Sequence, residues 1–129
     1  MPAVESNVVT TDLEMLAQGG PGIVWNQSSE DLNLNLMVLA PNGEIAEHVN
    51  PAVDVLLVGV RGGGTIAIDG EEGILGSGRM VLVPRGARRS IAAGPEGLAY
   101  LTCHRRRPGL WPEALRHGAA ATPPAGGES

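Results

Sequence analysis

A chain of 129 residues is sized for one domain able to bury its own core. Its nine basic residues are all Arg, so a Schiff-base lysine is excluded, and a net charge of −5 with 2% aromatic residues argues against a nucleic-acid partner. There is no apolar run of 18 residues for a transmembrane helix, no basic-then-apolar leader at the N-terminus, and only Cys103 as a thiol, which together point to a cytoplasmic protein without a disulfide or membrane contact.

Residues 1–10 read as an irregular or edge strand. Thr11-Asp-Leu-Glu14 has the capping-box pattern and predicts a short helix over 11–18, stopped by Gly19-Gly20-Pro21. From Glu30 the period becomes two. Leu32, Leu34, Leu36 and Val38 alternate with Asn33, Asn35, Met37 and Leu39, a strand over 32–39. If the leucine face packs outward, the asparagines line the interior; if it packs inward, they lie on the surface. Pro41-Asn42-Gly43 is a turn. Val53 to Val60 is nearly continuous in apolar residues, as in a strand covered on both faces. Gly62-Gly63-Gly64 separates it from a strand over 65–69, and Asp69-Gly70 marks a hairpin. Ile74-Leu75, 80–84, 89–93 and 98–105 supply further strands. Pro112 to His117 predicts a second short helix, and 119–129 a mobile tail. Many short strands joined by glycine turns indicate an all-β jelly roll with a short N-terminal helix. The expected division is an arm and helix over 1–29, a barrel over 30–107 and an extension with tail over 108–129.

Two motifs sharpen that expectation. Gly78, Pro84 and Gly86 are followed by Arg89 and Ala93 at a spacing that resembles the second cupin motif, where His and Asn occupy the last two positions. Gly43, His48, Asn50, Val55 and Gly62 match the first cupin motif in the same way, with Asn50 at the place of a second His and Val55 at that of Glu. The resemblance covers roughly 30–107 and extends to the phrases His48-Val-Asn50 and Tyr100 to Arg107, similar to those of small bacterial cupins. It implies a cupin-type double-stranded β-helix whose usual metal ligands are reduced to His48. Asp54 is one residue from the Glu position, and a bulge would turn it inward.

The resemblance also nominates the site. It implies that His48 and Arg89 enter the barrel, and by analogy with small cupins Cys103 does too, in phase with Leu101 and Ala99. His48, Asn50, Arg89 and Cys103, lined by Leu57 and Leu101, form the expected ligand site. Arg89 would grip an anion with its planar fork. If a divalent transition metal is present, His48, Asp54 and Cys103 are its ligands; otherwise no cofactor is expected. The competing placement turns Arg88 or Arg89 to the rim, paired with Glu47 or Asp54. Tyr100, out of phase with Cys103, packs outside, and Trp25 and Trp111 are packing anchors or dimer contacts.

Residues 1–78 hold eleven acids and one Arg, whereas 79–129 hold eight Arg and three acids. The arginines pair with the acidic half, within the chain or across a dimer, and apolar strand faces at Val81–Val83 and Leu98–Leu101 predict a homodimer. Three functions remain open. One is a cupin-domain protein that binds a small polar or anionic molecule without a typical metal centre. Another is a metal-dependent dioxygenase or isomerase with a remodelled ligand set. The third is a metal-free epimerase or cyclase using His48 as base and Arg89 as electrostatic stabiliser.

Overall fold

A computed structural model describes residues 8–106. The expectations for residues 1–7, Arg107, Trp111, the helix at 112–117 and the tail lie outside the described residues. Within them the order is α1 (Leu13–Leu16), β1 (Gly22–Ser28), β2 (Leu32–Leu39), β3 (Glu44–Val49), β4 (Val55–Ile68), β5 (Glu71–Gly76), β6 (Met80–Val83) and β7 (Arg88–Arg105).

Two strands are long because each runs through both sheets of the jelly roll. The first sheet pairs β1 with β2, β2 with residues 98–105 of β7, those with residues 55–62 of β4, and β4 with β6. The second pairs β3 with residues 88–92 of β7, β7 with residues 64–68 of β4, and β4 with β5. Every pairing is antiparallel. The hydrogen-bonded path from β1 to β5 does not close on itself.

Glycines make the crossing possible. The β4–β7 register slips between Gly59 and Arg61 and again between Gly62 and Gly64. Gly62 has φ +75°, and a Cβ there would collide with the Gly97 carbonyl. A Cβ on Gly59 would collide with the Gly76 carbonyl. The three consecutive glycines therefore bend one strand and do not separate two, contrary to the sequence expectation. The anticipated strands at 89–93 and 98–105 are likewise a single bent strand.

Alternation along the strands then sorts side chains into two layers. Met37, Leu39, Val55, Leu57, Ile66, Leu75, Val83, Ile91, Ala93, Leu98 and Tyr100 fill the space between the sheets. Leu36 and Ala99 point the other way and form a second cluster with Ala17, flanked by Leu13, Leu16, Val24, Trp25, Val38, Val60 and Leu101. This second cluster is the seat of α1 on the outer face of the first sheet. Asp12 caps α1 by accepting a hydrogen bond from the Met15 amide at 3.1 Å. The helix is one turn, shorter than the 11–18 expected, and its cap is Asp12 in place of Thr11. Residues 22–28, assigned by sequence to the arm, pair with β2 as an edge strand. Among the described residues no helix is long and apolar enough to cross a membrane.

The crossing yields a stability test. Gly59→Ala places a methyl against backbone that cannot yield without disturbing the β4 bend. Urea unfolding of this variant should show a loss of about 1–3 kcal/mol, the usual penalty of overpacking. A change within the noise would mean that the crossing has slack.

Candidate functional site

The inner layer is not wholly apolar. Asn35, Arg89 and Thr102 are buried in it, at 5%, 1% and 0% exposure. β7 supplies two of them because it folds back through both sheets. Arg89 lies on its first half in phase with Ile91 and Ala93, and Thr102 on its second half in phase with Leu98 and Tyr100. Each sits a comparable distance from the bend at 94–97, so the two face one interior from opposite sheets.

Cross-strand partners complete the set. Arg89 lies opposite His48 on β3 and opposite Ile68 on β4. The β3 register slips between Ile45 and His48, which re-aims the strand end. Thr102 lies opposite Asn35 on β2 and Leu57 on β4. Asn35 in turn accepts a 2.8 Å hydrogen bond from the Nδ2 of Asn26, its partner on β1. Asn26 also donates to the Leu34 carbonyl at 3.0 Å and reaches Asn33 Oδ1 at 3.3 Å. Asn33 Nδ2 is 3.3 Å from His104 Nε2.

Two buried atoms stand out. His48 Nε2 and Thr102 Oγ1 have no hydrogen-bond partner. Nδ1 of His48 lies 3.0 Å from the Ala46 carbonyl oxygen, which can only accept. Nδ1 is therefore the donor, and in the neutral ring Nε2 offers a lone pair. Leaving such groups dry and unbonded costs about 1–3 kcal/mol each. Arg89 belongs to the same buried layer, at 1% exposure.

The expected ligand set separates in space. His48, Arg89 and Leu57 belong to the interior. Asn50 does not turn into it as a donor: its Oδ1 accepts from the amides of Ala52 and Val53 at 3.0 and 3.3 Å, which closes the loop before β4. Cys103 and Leu101 are on the outer face. Leu101 packs with the α1 cluster, and Cys103 lies opposite Leu34 and Leu56. Tyr100 is inside and fully buried, the reverse of the sequence expectation. The reason is phase. Leu98 to Leu101 is apolar on both faces, so its alternation carries no sign, and the larger Leu98 and Tyr100 take the interior. Asp54 is exposed and accepts from the Arg85 amide at 2.8 Å, while Val55 is the residue that turns inward. Of the two arginines, Arg88 is the exposed one. It lines a rim cleft of about 650 Å³ with Glu47 and Asp69.

Thr102 and Asn26 were not anticipated. The inward phase of Thr102 follows once Tyr100 is inside, and Asn26 becomes visible only with the β1–β2 register.

These donors do not fit a cupin metal. His48 is the one conventional ligand in the interior, Arg89 brings a cation to the place of a second, and Val55 offers no donor. Among the described residues no three His, Cys, Asp or Glu side chains come together as a metal-binding group.

Comparison with known structures settles the fold. The chain is similar to TT1209 from Thermus thermophilus, with 24% identity over 77% of this chain and 98% of that one and a TM-score of 0.66. A double-stranded β-helix protein from Klebsiella pneumoniae matches at 18% identity, 78% and 90% coverage and TM-score 0.62. A cupin-2 domain protein from Shewanella frigidimarina matches at 20%, 67% and 80%, with TM-score 0.56. The chain has a cupin fold. No protein-family model matches it, and neither does any curated protein.

Outside the cupin barrel, Cys103 lines a cleft of about 580 Å³ with Leu32, Leu56, Leu82, Arg85 and Arg105. Burial pushes its thiol up from the ordinary range. The thiolate is the reacting species, so maleimide labelling of the native protein should be slower than that of the urea-unfolded chain at the same pH. The native rate should still be climbing where the unfolded chain levels off. Coincident pH–rate curves would show that burial does not act on this sulfur.

Proposed function

We propose that this cupin-fold protein binds a small polar or anionic molecule inside its barrel, without a typical metal centre. The observation that carries this reading is the interior pairing of Arg89, at 1% exposure, with His48, whose Nε2 is buried without a hydrogen bond. A guanidinium held there is pre-organised for a carboxylate or phosphate, and the surrounding apolar wall strengthens each charge-assisted bond.

A second reading uses the same pair. His48 as base beside Arg89 as electrostatic stabiliser would serve a metal-free epimerase or cyclase. Turnover of a bound ligand, lost in His48→Ala while binding persists, distinguishes it from simple binding.

The protein is further proposed to act as a homodimer. Support comes from the outer face of the first sheet, where Leu32, Met80 and Leu82 are 45%, 62% and 57% exposed. Asp54, Arg85 and Arg105 stand beside this face, opposite charges that a two-fold axis would set against each other.

Three measurements bear on these proposals. Purified protein should carry well under one equivalent of transition metal. Stoichiometric zinc, iron or manganese, lost in His48→Ala, would overturn the metal-free reading. A ligand found by thermal shift should bind Arg89→Met more weakly by about 1.5–3 kcal/mol, the scale of a hydrogen bond to a charged group. Equal affinity for both proteins would remove Arg89 from the site. Light scattering at micromolar concentration should give about twice the chain mass, and Leu82→Glu should return it to one. A wild-type monomer would refute the dimer.

A further inference from the structure

A further cleft lies away from the barrel interior, where the loop after α1, the end of β2 and the bends of β4 and β7 meet. It holds about 470 Å³ between residues 17–21, 38–41, 61–62 and 96–99. We infer that this cleft binds a zwitterion of amino-acid type, with its carboxylate on Arg61 and its ammonium on Glu96. The site is separate from the one proposed for the interior and does not depend on it.

The first argument is charge. Among the described residues, Arg61 and Glu96 are the two charged members of the lining. Both are exposed, and among the described residues neither side chain has a hydrogen bond or an ion pair, with the other or with any third group. Opposite charges thus border one space without cancelling each other. A plain anion drawn to Arg61 meets the Glu96 carboxylate, and a plain cation drawn to Glu96 meets the Arg61 guanidinium. A molecule carrying both charges is attracted at both ends, so the repulsion sets the specificity as much as the attraction does. The guanidinium grips a carboxylate with its planar fork, and the Glu96 carboxylate accepts from an ammonium.

The second argument is the shape of the walls. Gly20, Gly62 and Gly97 line the cleft with φ of +108°, +75° and +85°. A Cβ on Gly20 would collide with the Val38 side chain, and one on Gly97 would meet the Leu39 carbonyl oxygen at 3.0 Å. Bare backbone forms the wall at these places, and no side chain grows from it to fill the space. The approach of Gly62 to Gly97 belongs to the β4–β7 crossing, so the fold sets this shape before any ligand arrives. A site formed in advance loses less free energy to ordering on binding. Val38, Ala40 and Pro41 add apolar surface, which suits a short hydrocarbon body joining two charges.

The test is an NMR titration of the isotope-labelled full chain, read at backbone amides. The probes are β-alanine, γ-aminobutyrate and ε-aminocaproate, which separate the two charges by increasing lengths. Each is compared with the carboxylic acid and the primary amine of the same chain length. At least one of the three should shift the amides of Gly20, Gly62 and Gly97. It should bind at least about fivefold more tightly than its matched acid or amine, the scale of one favourable exposed ion pair. Arg61→Gln should abolish the preference over the amine, and Glu96→Gln the preference over the acid. Both positions are exposed, so the core is untouched. An acid or an amine that binds as tightly as its amino acid would overturn the inference. Shifts confined to residues of the barrel interior would also overturn it, by assigning the binding to the other site. Preferences unchanged in both variants would remove Arg61 and Glu96 from recognition and end the proposal. Absence of binding by all three amino acids would end it too, while leaving the interior site proposed above untouched.

Discussion

The pairing of β4 with β7 is the constraint on which the rest depends. These two strands remain partners from Val55 opposite His104 to Ile68 opposite Arg89, and between those ends they pass from one sheet to the other. All other strands attach to this spine: β2 and β3 to β7, β5 and β6 to β4, and β1 through β2. A strand can leave one sheet for another only where backbones approach closely, and a side chain at Gly59 or Gly62 would prevent that approach. The glycines of this region are thus a geometric requirement of the crossing.

The same bend assembles the site. Because β7 doubles back, one strand presents Arg89 to the interior from one sheet and Thr102 from the other. The interior is otherwise aliphatic, with Tyr100 its only buried aromatic among the described residues. Bulk water does not reach polar groups so placed, and an unbonded one is costly. His48 Nε2 and Thr102 Oγ1 both carry that cost. Retaining them makes physical sense if a bound molecule supplies the missing contacts.

Much of the fold was legible in the sequence, and the site only partly. The period-two pattern of Leu32 to Leu39 and the Gly78, Pro84, Gly86 spacing were enough to indicate a cupin. His48 and Arg89 were placed by motif, which carries absolute position. Cys103, Leu101 and Tyr100 were placed by alternation and analogy, and came out reversed. On a strand apolar on both sides, alternation fixes which residues share a face without saying which face is inside. The orientation of β2 was open for the same reason, until the packing of α1 against Leu36 turned the leucines out and the asparagines in. Asp54 lost the inward position to Val55 because it closes the turn at Arg85 through a backbone amide. Such a contact joins residues far apart in sequence and leaves no local signal.

The position of β7 along the chain bears on synthesis. It is the last strand described, yet β2, β3 and β4 all wait for it. Until it leaves the ribosome, the β1–β2 pair and the hairpins of β4 can form, but β3 has no partner and neither sheet has its centre. The growing chain therefore holds apolar strand faces and open edges until late in translation. Pairings this remote in sequence close slowly, and unpaired edges invite association with other chains. An architecture that hangs both sheets on one bent strand thereby concentrates the risk of misassembly in the interval before that strand arrives.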